Sequence, residues 1–310
     1  MTLLVMLAGL AVAALGALSR SGGRHLRPRV WARFGLGCTV GAAAYVWAGL
    51  ALLSAPVVLG ALGSSSLVDA CRAVLARLEP GGPALSWAAT VLLASCVVLV
   101  SGHASRSRAT RASSRIEPSL GTHERRVGFE LVILPTSVPL AYSVGGSRPQ
   151  VVVSEGLRRR LGQAQLAAVL AHEAAHVRGH HDRWLDLADL SARALWFVPW
   201  AARAADTVRV ALERWADEEA AREAGREPLR SALLLAADVV SLDAHVAGLT
   251  GADALAERVA RLETPPVRSR AGLIAAMSST LVAVGIVGGV AMAAGTLQVM
   301  ALISRLCPLW

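Results

Sequence analysis

The stretch QAQLAAVLAHEAAHVR, residues 163–178, decides how the rest of the chain is read. The residues ahead of its histidines are strong helix formers with no internal Gly or Pro, and Gly179 stands where a C-terminal cap belongs, so a helix of about 16 residues is expected. On that helix His172 and His176 lie four apart and share a face, where both can offer an imidazole nitrogen to one Zn²⁺. Glu173 lies about 100° further round, placed to take a proton from water without binding the metal itself. The pattern is that of a zinc hydrolase with one zinc per chain and Glu173 as its catalytic base.

Around this helix the composition is that of a membrane protein. Of 310 residues, 54% are hydrophobic and only 17% charged, and four uncharged stretches are long enough to cross a bilayer: residues 1–19, 36–62, 83–102 and 271–296. The net charge of +9 is carried by Arg alone, with no Lys in the chain. Arg20, Arg24, Arg27, Arg29 and Arg33 lie between the first two spans without an acid, and Arg106, Arg108, Arg111 and Arg115 flank the exit of the third. By the positive-inside rule the loop 20–35 and the segment 103–270 are cytoplasmic, while both termini, the loop 63–82 and the tail 297–310 face outward. The charge therefore reads as topology, and no direct nucleic-acid binding is expected. The first span reads as a retained anchor, because its Arg cluster follows the apolar run instead of preceding it as in a signal peptide. Gly37 with Gly41, and Gly285 with Gly289, permit close helix contact, which leaves room for a homo-oligomer. Cys71 and Cys307 fall on the outer side, where a disulfide is permitted.

Residues 103–126 are rich in Arg and Ser without apolar periodicity and read as a juxtamembrane linker to a domain over 127–270. Within it, residues 129–134, 140–144 and 150–153 read as strands, the last two joined by a turn at 145–149. From Ser154 onward the pattern is helical, with breaks at Gly162, Gly179, Pro199, residues 225–228 and Pro265-Pro266. The fold class expected is a mainly α membrane protein: four transmembrane helices, with a cytoplasmic α+β zincin-like domain between the third and fourth.

A catalytic zinc takes three protein ligands and keeps one position for water, and two candidates compete for the third. Residues 172–182 fit H-E-x-x-H-x-x-G-x-x-D, in which Gly179 turns the chain and Asp182 binds metal. That arrangement needs a downstream Met-turn, and no Met lies between Met6 and Met277. The other candidate is Glu213 in Glu213-Arg214-Trp215-Ala216-Asp217, on an apparent helix over 201–224. Glu213 and Asp217 share a face, so one carboxylate can bind metal while the other orients a ligand imidazole. In isolation Glu213, Asp217, Glu218 and Glu219, with Arg214 and Arg222, would read as a solvated charged face.

In this order of parts the chain resembles membrane-integrated gluzincins. The nearer resemblance is to the M56 peptidase family of BlaR/MecR-type antibiotic receptors, and the more distant one to the M48 family of HtpX and CAAX-processing proteases. It is carried by Pro139-Leu140-Ala141-Tyr142-Ser143-Val144-Gly145-Gly146 with Gln150-Val151-Val152-Val153-Ser154-Glu155-Gly156-Leu157, by the HEAAH helix, by Trp196-Phe197-Val198-Pro199-Trp200, and by the Glu213 to Asp217 string. The coverage is about residues 128–264. The resemblance implies that His172, His176 and Glu213 bind zinc, that Glu173 is the catalytic base, and that Asp217 supports a ligand. BlaR-like receptors carry a large penicillin-binding sensor after the fourth span, where this sequence has about 14 residues, so β-lactam sensing is not implied.

The activity expected is peptide-bond hydrolysis by a zinc-dependent metallopeptidase in a bacterial cell membrane. Its partners would be membrane lipid and a protein or peptide substrate: a BlaI-like repressor in a signalling pathway, or damaged membrane proteins in HtpX-like quality control. The alternative is a non-hydrolytic signalling scaffold with a structural zinc, which Glu173 argues against, since a structural site needs no base. Tyr142, His180, His181 and Arg178 are candidates for stabilising the oxyanion. The Trp196 to Trp200 cluster reads equally as membrane-interface anchor or domain core.

Overall fold

The computed structural model describes residues 2–22, 26–61, 82–113, 121–242 and 249–263. The expected span at 271–296, the tail 297–310, nearly all of the outer loop, and Cys71 and Cys307 lie outside the described residues. The chain is mostly helical. Helices α1 (Thr2–Gly22), α2 (Pro28–Ala61) and α3 (Gly82–Ser113) precede a small sheet, β1 (Thr122–Arg126), β2 (Phe129–Leu134), β3 (Ala141–Val144) and β4 (Gln150–Ser154). Six further helices follow: α4 (Glu155–Arg160), α5 (Gln163–Arg178), α6 (His181–Ala194), α7 (Ala201–Ala224), α8 (Arg226–Leu242) and α9 (Leu249–Glu263).

Two helices are long and apolar enough to cross a membrane, over Pro28–Val58 and Gly82–Ser107. The apolar run of α1, Met6–Arg20, is shorter and lies along α2. Four spans were expected, and length and composition support two among the described residues. The described parts of the linker expected at 103–126 are regular. Helix α3 runs on through its Arg/Ala-rich end to Ser113, which helix propensity alone allows, and residues 122–126 pair as an edge strand.

The sheet has the order β1-β2-β4-β3. Strands β2 and β4 are parallel, and β1 and β3 add antiparallel at the edges, with Leu131 opposite Val151 and Tyr142 opposite Val152. β1 turns into β2 through Val127-Gly128, with Gly128 at φ 87°. Side chains alternate across each strand. Leu131, Ile133, Val151 and Val153 face Leu166, Leu170 and Val177 of α5, while Val132, Leu134, Tyr142, Val144 and Val152 form the core of the other face. At the end of β4, the Ser154 hydroxyl accepts from Leu157 N–H to cap α4 and from Leu140 N–H to tie down the approach to β3. These contacts fix α5 against the sheet.

Helix α7 joins this unit to the apolar helices. It runs antiparallel to α2, with Ala204 near the level of Cys38, Val208 against Gly35, Arg214 over the Trp31 ring, and Arg29 paired with Glu219. Trp31 is fully buried in a cluster with Ala205, Val208, Ala211, Leu212 and Trp215. The Trp196 to Trp200 segment is packed into the core. Leu195 and Val198 are buried against Phe34, Cys38 and other apolar-helix residues, Trp200 donates to the Leu10 carbonyl, and Trp196 remains 55% exposed.

Close approach of α1 to α2 does not use Gly41, which has only an ordinary contact with Val12. It occurs at Gly9, Gly49 and Gly16, and at Gly16 an added Cβ would lie 2.9 Å from Cys38 Cβ and 3.2 Å from Ala204 Cβ. Gly16→Leu should therefore push α1 away from both α2 and α7 and destabilise the protein by about 1–3 kcal/mol, the usual cost of overpacking, read as a lower thermal midpoint in detergent. An unchanged midpoint would mean that this three-helix junction contributes nothing to stability.

Candidate metal centre

Gln163, Ala164 and Gln165 start α5, with the Gln165 side chain accepting from Gly162 N–H, and the helix ends at Gly179 after 16 residues. His172 and His176 therefore stand on one face, towards α7. His172 Nε2 lies 3.2 Å from His176 Nε2 and 3.6 Å from Glu213 Oε2, and His176 Nε2 lies 3.5 Å from Glu213 Oε1. Donors about 2.0–2.2 Å from a tetrahedral ion sit about 3.3–3.6 Å apart, and each imidazole nitrogen comes this near to its own oxygen of the Glu213 carboxylate, so the cluster is of a size that zinc can occupy. Among the described residues, these three form the group of ligating side chains that could hold a metal ion.

The supporting residues come from both sides. His172 turns its other nitrogen, Nδ1, to Asp217 Oδ1 at 3.1 Å. Arg258, from α9, donates through Nε to Asp217 Oδ2 at 2.8 Å and through Nη2 to Oδ1 at 2.7 Å. Its Nη1 lies 3.1 Å from Glu213 Oε2. Sequence reasoning missed Arg258, which sits 41 residues from Asp217 in an unremarkable Arg/Ala/Glu helix. Its neighbour Glu257 pairs at 2.6 Å with the buried Arg214, so α9 is clipped to α7 at two adjacent residues.

The electrostatics follow from this burial. Burial alone would depress the His172 imidazolium, but the Asp217 and Glu213 carboxylates outweigh it and raise its pKa to about 9. For His176 burial wins: the Glu213 charge opposes it, His172 adds to it, and the pKa falls to about 4. Burial pushes Glu213 and Asp217 up, and hydrogen bonding to His172 with the charge of Arg258 more than reverses it, so both stay well below the ordinary carboxylate range. Glu173 goes the other way. Burial raises it, helped by the Glu213 charge, while His172 and a hydrogen bond with Ser143 of β3 oppose the shift. A carboxyl held above its ordinary range is suited to accept and return a proton near neutrality.

The remaining candidates are placed elsewhere. Asp182 is packed against Gly145 in the β3–β4 turn and does not join the triangle. Tyr142 lies on the sheet face away from α5, because strand alternation puts Ser143, not Tyr142, beside Glu173. Arg178 pairs with Glu223 at 2.9 Å. His180 occupies the left-handed turn between α5 and α6, with φ 51°, and His181 is fully buried behind His176.

Comparison with known proteins bears on the same region. Residues 103–242 match the profile described as Peptidase family M48. The plastoglobule-localized metallopeptidase 48, chloroplastic, of Arabidopsis thaliana is 35% identical over 125 residues, which is 38% of this chain and 35% of that protein. The match thus spans about a third of the relative's length. No solved structure matches significantly. The matched family is thus the one to which the sequence showed the more distant resemblance, and Arg258 lies beyond the matched segment.

One consequence concerns protons. Zinc binds neutral imidazole, and with His172 holding its proton up to about pH 9, metal binding at pH 8 should release about one proton per site, where an ordinary imidazole would release almost none. Calorimetry of zinc binding in buffers of different ionisation enthalpy measures this number, and apparent affinity should rise with pH until about 9. Arg258→Leu should keep that release at about one proton and extend it to higher pH, because the guanidinium it removes lowers the His172 pKa.

Proposed function

We propose that this chain is a membrane-associated zinc metallopeptidase, in which His172, His176 and Glu213 hold the metal and Glu173 is the catalytic base. The observation that carries this reading is the triangle of two imidazole nitrogens and a carboxylate at 3.2, 3.5 and 3.6 Å, with a proton-accepting carboxyl beside it. The match of residues 103–242 to Peptidase family M48 supports it independently.

Zinc bound there would act as a Lewis acid that makes water nucleophilic near neutral pH. The chain's own residues do the rest. Glu173 takes the proton from the attacking water on its carboxylate and delivers it to the leaving amine, and its raised pKa suits both transfers. Ser143 holds that carboxylate through its hydrogen bond, and Asp217, clamped by Arg258, fixes the ring of His172. Strand β3 is the edge of the sheet on this side, and an extended substrate segment would add to it through backbone hydrogen bonds.

The catalytic side is cytoplasmic in this reading. Arg29, at the start of α2 in the basic stretch expected to be cytoplasmic, pairs with Glu219 of α7, which supports a site on that same side. Between the two roles raised by the sequence, the M48 match favours HtpX-like turnover of membrane proteins over cleavage of a BlaI-like repressor. The intact Glu173 disfavours the structural-zinc scaffold.

Elemental analysis of the protein purified in detergent tests the site. About one zinc per chain is expected in wild type, Asp182→Ala and Glu173→Gln, and none in Glu213→Ala. Glu173→Gln should also cleave a disordered substrate such as casein about 10²–10⁴-fold more slowly. Wild type without zinc, or full cleavage by Glu173→Gln, defeats the proposal.

A further inference from the structure

The geometry points to His181 as a positioning residue for the metal ligand His176, acting as a neutral hydrogen-bond acceptor for its Nδ1 proton. This rests on the zinc reading above. The two Nε2 atoms of His172 and His176 converge with the Glu213 carboxylate, so both rings present Nε2 to the metal position and each carries its proton on Nδ1. For His172 that proton faces Asp217. For His176 it faces another imidazole nitrogen, His181 Nδ1, at 3.0 Å. Two facing nitrogens share one proton, and ligation assigns it to His176. His181 must then present its Nδ1 lone pair and carry its own proton on Nε2.

Several features of the chain serve this placement. His181 follows a residue in the left-handed region, His180 at φ 51°, the one non-glycine at positive φ among the described residues. That turn brings the next side chain back under α5. Gly179 supplies the space, since a Cβ there would overlap His181 Nε2. Trp215 of α7 closes the other side, its ring centroid 4.7 Å from that of His181, and Arg29 covers the Trp215 ring at 4.9 Å. The His181 side chain is fully buried, and its Nε2 has no hydrogen-bond partner among the described residues. A buried donor left unpaired is tolerated where its ring is needed for something else, and here the other nitrogen meets a metal ligand. The result is an asymmetric pair of ligands, His172 supported by a carboxylate and His176 by a neutral ring, so that the second ligand adds no further negative charge.

The test compares amide replacements that put an acceptor at one ring nitrogen or the other. In His181→Asn the side-chain oxygen can stand where Nδ1 was, and in His181→Gln the amide reaches the Nε2 position instead. Zinc dissociation constants are measured on full-length protein in detergent by chelator competition, with thermal melts of the metal-free forms as the folding control. Asn should stay within about threefold of wild type, while Gln and Leu weaken zinc about 10–100-fold, the usual effect of losing a ligand's outer partner. Folded Gln and Leu variants with wild-type affinity, or an Asn variant as weak as Gln, would overturn the assignment. If the variants do not fold, ¹⁵N-histidine NMR of the zinc-loaded wild type decides: the His181 proton is expected on Nε2, and finding it on Nδ1 excludes the acceptor role. A wild type that binds no zinc overturns the zinc reading as well, whereas zinc-binding wild type with indifferent variants overturns this inference alone.

Discussion

Two histidines on one helix and a carboxylate on another can meet at a point only if the helices approach closely, and small residues set that distance here. Ala168 and Ala171 of α5 are buried with Ala220 of α7, and Ala216 is fully buried one turn nearer the site. Helix axes packed through alanine come to the short end of the usual 8–10 Å range, which lets a Glu side chain span the gap to both imidazoles. The sheet behind α5 and the apolar helices behind α7 hold the two against each other. The metal triangle is thus a product of packing on its outer sides.

Burying this many charges carries a desolvation cost that only a complete network offsets. Arg258 completes it. With Asp217 and Glu213 both ionised beside His172, a cation held bidentate on Asp217 and touching Glu213 keeps the excess negative charge from rejecting itself. Because Glu257 simultaneously holds Arg214, which in turn covers Trp31 of α2, the charge network and the apolar core share members. Loss of order in α9 would therefore be felt at Asp217 first and at the junction with α2 next.

What the sequence made legible was local. Helices α5 and α7 were readable because strong helix formers, flanking breaks and paired functional residues agree over several turns. Strand β1 was not, since Thr122-His123-Glu124-Arg125-Arg126 has no apolar member and is wholly exposed; it exists because β2 offers it a backbone edge. Arg258 was invisible for a different reason: nothing in its own helix marks it, and only the tertiary fold brings it to Asp217. His181 was noticed but as an oxyanion candidate, because spacing along the chain does not reveal which side of His176 it occupies. The signal was nevertheless there in Gly179, a residue without a side chain just where the chain doubles back.

The continuity of α7 has a further meaning. From Ala204, which meets α1 and α2 at Gly16 and Cys38, to Glu213 is nine residues of one unbroken helix, about 14 Å at 1.5 Å per residue. If α2 is taken as a membrane span, the metal position is held at a fixed distance from the junction at Ala204, beside the start of that span. On the function proposed above, the helix would work as a depth gauge, making the distance of a peptide bond from that junction a criterion of selection alongside its sequence.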